Sequence, residues 1–523
     1  MQNTLSGHNR MKKIQQFSIF LLFLGILVLS SCRKDFSTQP SMGNLEFSKD
    51  TVYLDTIFSG IGSSTYTLKV YNRSNDAINI PHIVLANGED SGYRLNVDGM
   101  TGKHFEDITL LAKDSLYVFV ETTINYEEVT TPIYEDRILF DSGEYEQHVN
   151  LVTLVKDAHF LYPNKVDGII ETLELDGEQT EIQGRYLTDD ELVFTNDKPY
   201  VIYGEMVVGT PDNAPKTLTI EAGAQIHFHA NSGLIVNANS SLHILGTKNI
   251  EGEEETEVMI QGDRLEPFFE NKSSQWNYIL LRSGSKNHSI NYATIKNGTA
   301  GIVVQGMYDL GIPILEINNT KILNQGIYGI YAGFTNIKGT NLVTNNIGRS
   351  AFVGVVGGVY NFTHCTFANY WSESHRSFPT LLLTNYIEPL EDPIVVADLY
   401  EANFTNCIIY GRENIELTFD KKDEVAFNFK FTNCLIRFND IHDNYTSPLY
   451  DFDDSSLYEN CVFNEAPVFL DPSLNQLIIG EDSAANGLAS PSGTALSPLD
   501  IMGVTRSNPA DLGAYEHVVF EEE

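Results

Sequence analysis

Between residues 293 and 463 one short phrase returns at intervals that neither a helix nor a free hairpin can use. "FTNCIIYG" at 404–411, "FTNCLIRF" at 431–438 and "YENCVF" at 458–463 share one pattern. Aligning on the cysteine places Ala293, Thr320, Asn341, Cys365, Cys407, Cys434 and Cys461 at one position, with separations of 27, 21, 24, 42, 27 and 27, where 42 reads as two rungs of 21. Two residues on stand Ile295, Ile322, Val343, Phe367, Ile409, Ile436 and Phe463, all apolar; four on stand Asn297, Asn324, Asn345 and Asn369. Small, apolar and amide residues in fixed order at such a period mark a solenoid, in which each repeat is one coil and stacked coils bury a continuous core. Upstream, the pairs Leu218/Ile220, Ile226/Phe228, Leu234/Val236 and Leu242/Ile244 recur every eight residues between Gly, Asn and Ala turns. Strands so short cannot stand as a free hairpin sheet, but they can turn corners into a coil.

The N-terminal part has another texture. Tyr66, Leu68 and Val70 alternate with polar neighbours, as do Leu116, Val118 and Val120, and "HVNLVTLV" (148–155) is a third such run. Short alternating strands separated by turn clusters over about a hundred residues predict an antiparallel sandwich of immunoglobulin-like shape. At 523 residues the chain is too long for one core. The expected order is a signal peptide at 1–31, a lipidated tether at 32–43, the sandwich at 44–157, an acidic linker or cap at 158–197, the solenoid at 198–480 and a C-terminal capping segment at 481–523.

The solenoid resembles a known family. "LTIEAG" (218–223), "WNYILLRSGS" (276–285), "NYATIKNG" (291–298) and "FTHCTFANYW" (362–371) are similar to right-handed parallel β-helices of the pectin-lyase-like type in exported lipoproteins of Bacteroidota. The resemblance implies an all-β fold, an immunoglobulin-like β-sandwich followed by a right-handed parallel β-helix, and it brings no assigned activity. In "LDIMGVTRSNPADLGAYE" (499–516), Leu499, Asp500, Gly503, Arg506, Asp511, Gly513, Ala514, Tyr515 and Glu516 match a closing motif of such helices. That match implies a cap, with Arg506 against Asp500 or Asp511 tying down the last coil.

The first 32 residues read as a targeting segment. Lys12 and Lys13 precede a mostly apolar run from Phe17 to Leu29, and "LSSC" ends at Cys32. The run is shorter than the ~20 residues a membrane span needs, so a signal peptide fits. Its ending resembles a bacterial lipobox, in which Cys32 is lipidated (palmitate) and becomes the mature N-terminus. Met11 is an alternative start, since "MKK" would then open the signal peptide. Arg33 rather than an acid after Cys32 favours the outer membrane, so the expected location is the cell outer membrane, lipid-anchored. The partners expected are that membrane, reached through the lipid, and a polysaccharide or envelope protein.

Charge narrows the partners. The chain carries 70 acidic against 33 basic residues, a formal charge of −37, and loss of 1–31 makes it three units more negative. Such a surface repels phosphate backbones, which excludes nucleic acid as a partner. No cofactor is expected; the acids leave calcium open, though neither "GRENIELTFDKKDE" (411–424) nor "DFDD" (451–454) has the spacing of a calcium loop.

Chemistry-bearing residues are sparse. The four downstream cysteines would be spread along a column of rungs ~4.8 Å apart, with Cys365 and Cys407 about 10 Å apart, too dispersed for one zinc ion. Packed inward, they read as small apolar thiols; the alternative is a Cys434–Cys461 disulfide, since one rung spacing falls inside the usual Cα range, though parallel Cβ vectors make it awkward. No metal ligands are assigned: His227 and His229 share a strand face but lack further partners, and outward polar positions explain them. Residues 371–393 read as a long loop leaving the coil, and such excursions are where binding sites tend to lie. Tyr370 and Trp371 would stack on sugar rings, with His375 and Arg376 as polar contacts. Arg282, Lys286 and Arg349 are single bases without visible partners. The motifs of polysaccharide lyases and hydrolases are missing, so no catalytic residue is assigned. The expectation is therefore a lipid-anchored envelope protein whose solenoid binds a glycan or protein without catalysis. The alternative is a carbohydrate-active enzyme, a polysaccharide lyase or glycoside hydrolase, on the solenoid face.

Overall fold

A computed structural model describes residues 38–128, 131–306, 311–389 and 393–521. The signal peptide, Cys32 and the first part of the tether lie outside the described residues. The fold is all-β, in two compact units: the described residues up to Lys156, and those from Asp157 onward. No helix among the described residues is long and apolar enough to cross a membrane.

The first unit is a β-sandwich. One sheet runs Gln39–Pro40, Ile78–Leu85, Ile133–Phe140, Gln147–Lys156 and Thr51–Phe58, with His104–Leu110 also paired to Ile78–Leu85. The other runs Glu46–Phe47, Tyr66–Tyr71, Ser115–Thr122, Tyr93–Val97 and Met100–Gly102. The alternation puts Leu68, Val70, Leu116, Val118, Val120, Val149 and Leu151 into the shared core. The tether expected to reach residue 43 ends earlier, because Gln39–Pro40 pairs with Ile78–Asn79 and Ser41 donates to Asp141 at 2.8 Å.

The second unit is a solenoid of two long parallel sheets, of 11 and 18 strands. Three strands make a coil: Thr217–Ile220, Gln225–Phe228 and Gly233–Val236 fall on three faces, and Ser241–Leu245 returns to pair with the first. The eight-residue spacing is thus one face. The first rung is His159–Leu161, which pairs with Tyr200–Ile202, so the solenoid begins inside the segment expected to be a linker. Inward residues form one core, in which Phe362, Phe404, Phe431 and Tyr458 stack rung upon rung at 4.9–5.7 Å.

Three features depart from the expected register. Lys321 pairs with Val343, and Val343 with Thr366, so Leu342 rather than Asn341 continues the column of Thr320 and Cys365. Asn341 falls one place earlier, with Asn319, His364, Asn406, Asn433 and Asn460, all at φ between 47° and 56°. These are left-handed corners that Asn tolerates better than most residues. The later amide column shifts with it, since Asn346, not Asn345, bonds Asn324.

Second, the 42-residue interval is one enlarged coil. Thr366 pairs directly with Ile408, and the Cys365 backbone N–H lies 3.5 Å from Cys407 Sγ. Leu381–Thr384 rejoins the stack against Phe352–Gly354, so the expected 371–393 loop is broken by a strand. Cys365, Cys407 and Cys434 are buried and Cys461 half-buried, and all four are free thiols.

Third, the closing segment covers a flank. Ile479, Ala485, Ala489, Ala510 and Leu512 pack on Ile408, Tyr410 and Leu435, while Ile501, Ala514 and Tyr515 pack on Val343 and Ala368. The outward side of that face is apolar and needs cover. Arg506 bonds Glu516 at 3.2 Å and Asn341 at 2.9 Å, in place of the expected Asp500 or Asp511.

Candidate ligand-binding face of the solenoid

The face that Ser241–Leu245 shares with the strands above it carries its side chains in columns. Ser289, Glu316, Lys338, Asn361, Asn403 and Lys430 stand opposite one another in successive rungs. Beside them runs Asn291, Asn318, Thr340, Thr363, Thr405 and Thr432. The residues between the columns, Ile290, Ile317, Gly339, Phe362, Phe404 and Phe431, are buried, so alternation turns every polar member outward. Parallel rungs ~4.8 Å apart make each column about 24 Å long.

Two adjoining hollows of about 400 and 880 Å³ lie over these columns, sharing Lys338, Thr363 and Leu496. One wall is Leu496, Ser497, Pro498 and Leu499 of the C-terminal segment; on the other side stand Pro313 and Tyr400. The side chains are pre-ordered: Asn403 donates to Asn361 at 3.0 Å, Asn361 donates to Glu401 at 3.4 Å, and Lys430 pairs with Glu459 at 2.7 Å.

Tyr400 owes its position to a register shift. Gly358 pairs with Leu399 and the next residue, Val359, with Glu401, which leaves Tyr400 as the extra residue of a bulge. A bulge re-aims a side chain, and Tyr400 is 49% exposed. It gives the groove an aromatic surface beside amides and hydroxyls, the mixture that recognises a sugar ring by stacking and its hydroxyls by hydrogen bonds. Sequence reasoning missed Tyr400, because the bulge is a property of the pairing.

The four residues expected to bind a ligand lie elsewhere, between the strands Thr366–Asn369 and Leu381–Thr384, and do not form an open platform. Trp371 is 6% exposed and its indole N–H donates to Ser374 at 3.0 Å. Tyr370 is half-buried, edge-on to Phe469. Arg376 is 3% exposed, with two hydrogen bonds to Glu416 at 2.9 and 2.7 Å. Only His375 of the four is exposed. The stacking and polar-contact roles read for Trp371 and Arg376 do not fit buried groups committed to internal partners.

Arg282, Arg349, His227 and His229 also have partners. Arg282 bonds Asp176 and Asn237, and Arg349 lies 3.9 Å over the Phe378 ring. His229 pairs with Asp263 at 2.7 Å. His227, expected at an outward polar position, is buried, with Nδ1 3.1 Å from Gly262 O.

The two carboxylates lining the groove are Glu316 and Glu401. They stand three rungs apart, roughly 14 Å. Glycosidases flank the scissile bond with carboxyls about 5–10 Å apart. The groove therefore suits holding a chain better than hydrolysing it by a carboxyl pair.

No family model matches the chain, and no curated protein matches it. Among solved structures it is similar to a family 123 glycoside hydrolase from Clostridium perfringens, described for glycolipid glycan hydrolysis. The alignment covers 21% of this chain and 25% of that one, at 11% identity and a TM-score of 0.15. A likeness so short and loose carries no argument.

Proposed function

We propose that this is a lipid-anchored protein of the outer membrane whose solenoid, of the pectin-lyase-like kind, binds an extended neutral glycan without cleaving it. The observation that carries the reading is the pair of polar columns, in register over six rungs beneath an exposed tyrosine. Asn and Thr offer donors and acceptors at each step, which suits repeating hydroxyls. The charge of −37 disfavours a uronate or other polyanionic chain. Shape and spacing favour a glycan over a folded protein, which would need a broad apolar patch at its centre.

The test is incubation of the protein with a panel of neutral and acidic polysaccharides, following both retention and products. Retention on a neutral polymer without new ends supports the reading. Release of reducing ends or unsaturated products would replace it with the carbohydrate-active enzyme. The anchor is tested apart from the ligand: Cys32→Ser should release the protein from membrane fractions, and unchanged retention would refute lipidation.

A further inference from the structure

We propose that the outer face of the sandwich holds a divalent transition-metal ion of the zinc class between His82, His104 and Glu106. His82 stands opposite Glu106 in the antiparallel pair Ile78–Leu85 and His104–Leu110. His104 is two residues before Glu106 and so projects from the same side of its strand. The usual alternation is interrupted on both strands: Ile80 and Ile83 are buried on one, Phe105 and Ile108 on the other. Two successive residues therefore face outward on each, Pro81 with His82 and Glu106 with Asp107, and Asp107 takes up the irregularity at φ 55°. This local break sets the three side chains together.

One donor atom from each of the three lies within 4.8 Å of the others. His104 Nε2 is 3.5 Å from Glu106 Oε1, and the two imidazole centroids are 5.7 Å apart. Ligands held at ~2.0–2.1 Å from a tetrahedral zinc stand roughly 3.3 Å from one another. The His104–Glu106 pair is already near that separation, and a His82 donor atom lies within 4.8 Å of both. Two imidazoles and a carboxylate are the donor set of zinc rather than of calcium, which takes oxygen. Three protein ligands leave a fourth position for water.

The site would clip one strand to another. His104–Leu110 pairs only with Ile78–Leu85 among the described strands, so an ion bridging them fastens a sheet edge. No sequence motif announces it, since His82 and His104 are 22 residues apart.

The experiment is zinc titration of the tag-free full chain after chelation, with cobalt as a spectroscopic probe. One strong zinc equivalent is expected, with a raised Tm and the visible absorption of low-coordinate cobalt. His82→Ala and Glu106→Gln should each weaken zinc binding about tenfold or more and diminish the Tm rise and the cobalt bands, with the far-ultraviolet circular dichroism unchanged. His229→Ala, on the solenoid, should leave all three signals in place. Zinc binding and Tm rise undiminished in the His82 and Glu106 variants, or no zinc binding by the wild-type chain, would overturn the site.

Discussion

Arg376 and Glu416 form a doubly hydrogen-bonded ion pair with both side chains almost wholly excluded from solvent, 2% and 0% exposed. Glu416 also accepts from the Thr380 backbone and hydroxyl and from the Glu413 backbone. A Cβ on Gly411 would lie 2.1 Å from its carboxylate, so the pair is fitted against a backbone that must be glycine. What looked like a ligand contact ties the 371–379 excursion to the coil. Arg376→Ala leaves a buried carboxylate unpaired and should cost about 3–5 kcal/mol in denaturant unfolding. Arg376→Met combined with Glu416→Leu should recover much of that loss. A stability change under 1 kcal/mol for Arg376→Ala, on the same scale of effects, would contradict the pairing.

The cysteine column makes a graded prediction. Burial pushes the thiols of Cys365, Cys407 and Cys434 well above their ordinary pKa. A hydrogen bond from Cys434 lowers that of half-buried Cys461. Alkylation of the native protein, mapped by mass spectrometry, should therefore modify Cys461 well before the other three. Cys407→Ala removes one buried atom and should cost about 1 kcal/mol, with ligand binding unchanged.

Glu205 predicts a pH dependence. Burial raises its carboxyl to about 7, partly opposed by a hydrogen bond from Asn277. The folded pKa lies above the unfolded one, so the native state holds the proton more tightly. Its contribution is complete below about pH 4.5 and is lost as pH rises through 7. Glu205→Gln should remove about 3 kcal/mol of pH-dependent destabilisation between those limits. Parallel stability curves for wild type and variant from pH 4.5 to 8 would contradict the raised pKa.

The corners test the register. Asn460 is exposed and sits at φ 52°. Asn460→Gly should be close to neutral, while Asn460→Val should cost roughly 1–2 kcal/mol. Equal effects in thermal unfolding would mean that the corner is not left-handed.

Much of the architecture was legible because strands alternate and coils repeat. The inward residues Leu218, Ile220, Leu242 and Ile244 stand where periodicity put them, and Cys365, Cys407 and Cys434 face inward as read, with Cys365 and Cys407 on adjacent rungs rather than two apart. The failures have one physical source: a solenoid sets its register by hydrogen-bonded neighbours, and coils change length without announcing it. The rung after Thr320 is one residue longer than its Asn suggested, and the coil after Cys365 encloses an excursion that resembles a missing rung. The candidate site was less legible still. Asn361 and Asn403 precede the same repeated phrase, four residues before Cys365 and Cys407, but Glu316 and Lys338 lie in unlike contexts and join that column only when stacked. Trp371 and Arg376 drew attention as loop residues, and whether a loop folds inward depends on partners such as Glu416, 40 residues away.

The central claim is that the groove over Asn361 and Asn403 binds a neutral glycan, with Tyr400 as its aromatic surface. Its most direct test is the affinity of the full chain for the polymer retained in the panel, measured by calorimetry beside Tyr400→Ala, Asn403→Ala and His375→Ala. Tyr400→Ala and Asn403→Ala should each weaken binding about tenfold, near 1.4 kcal/mol, without a change in Tm, while His375→Ala leaves affinity intact. Full affinity in both groove variants, with loss in His375→Ala, would contradict the claim and return the site to the 371–379 excursion.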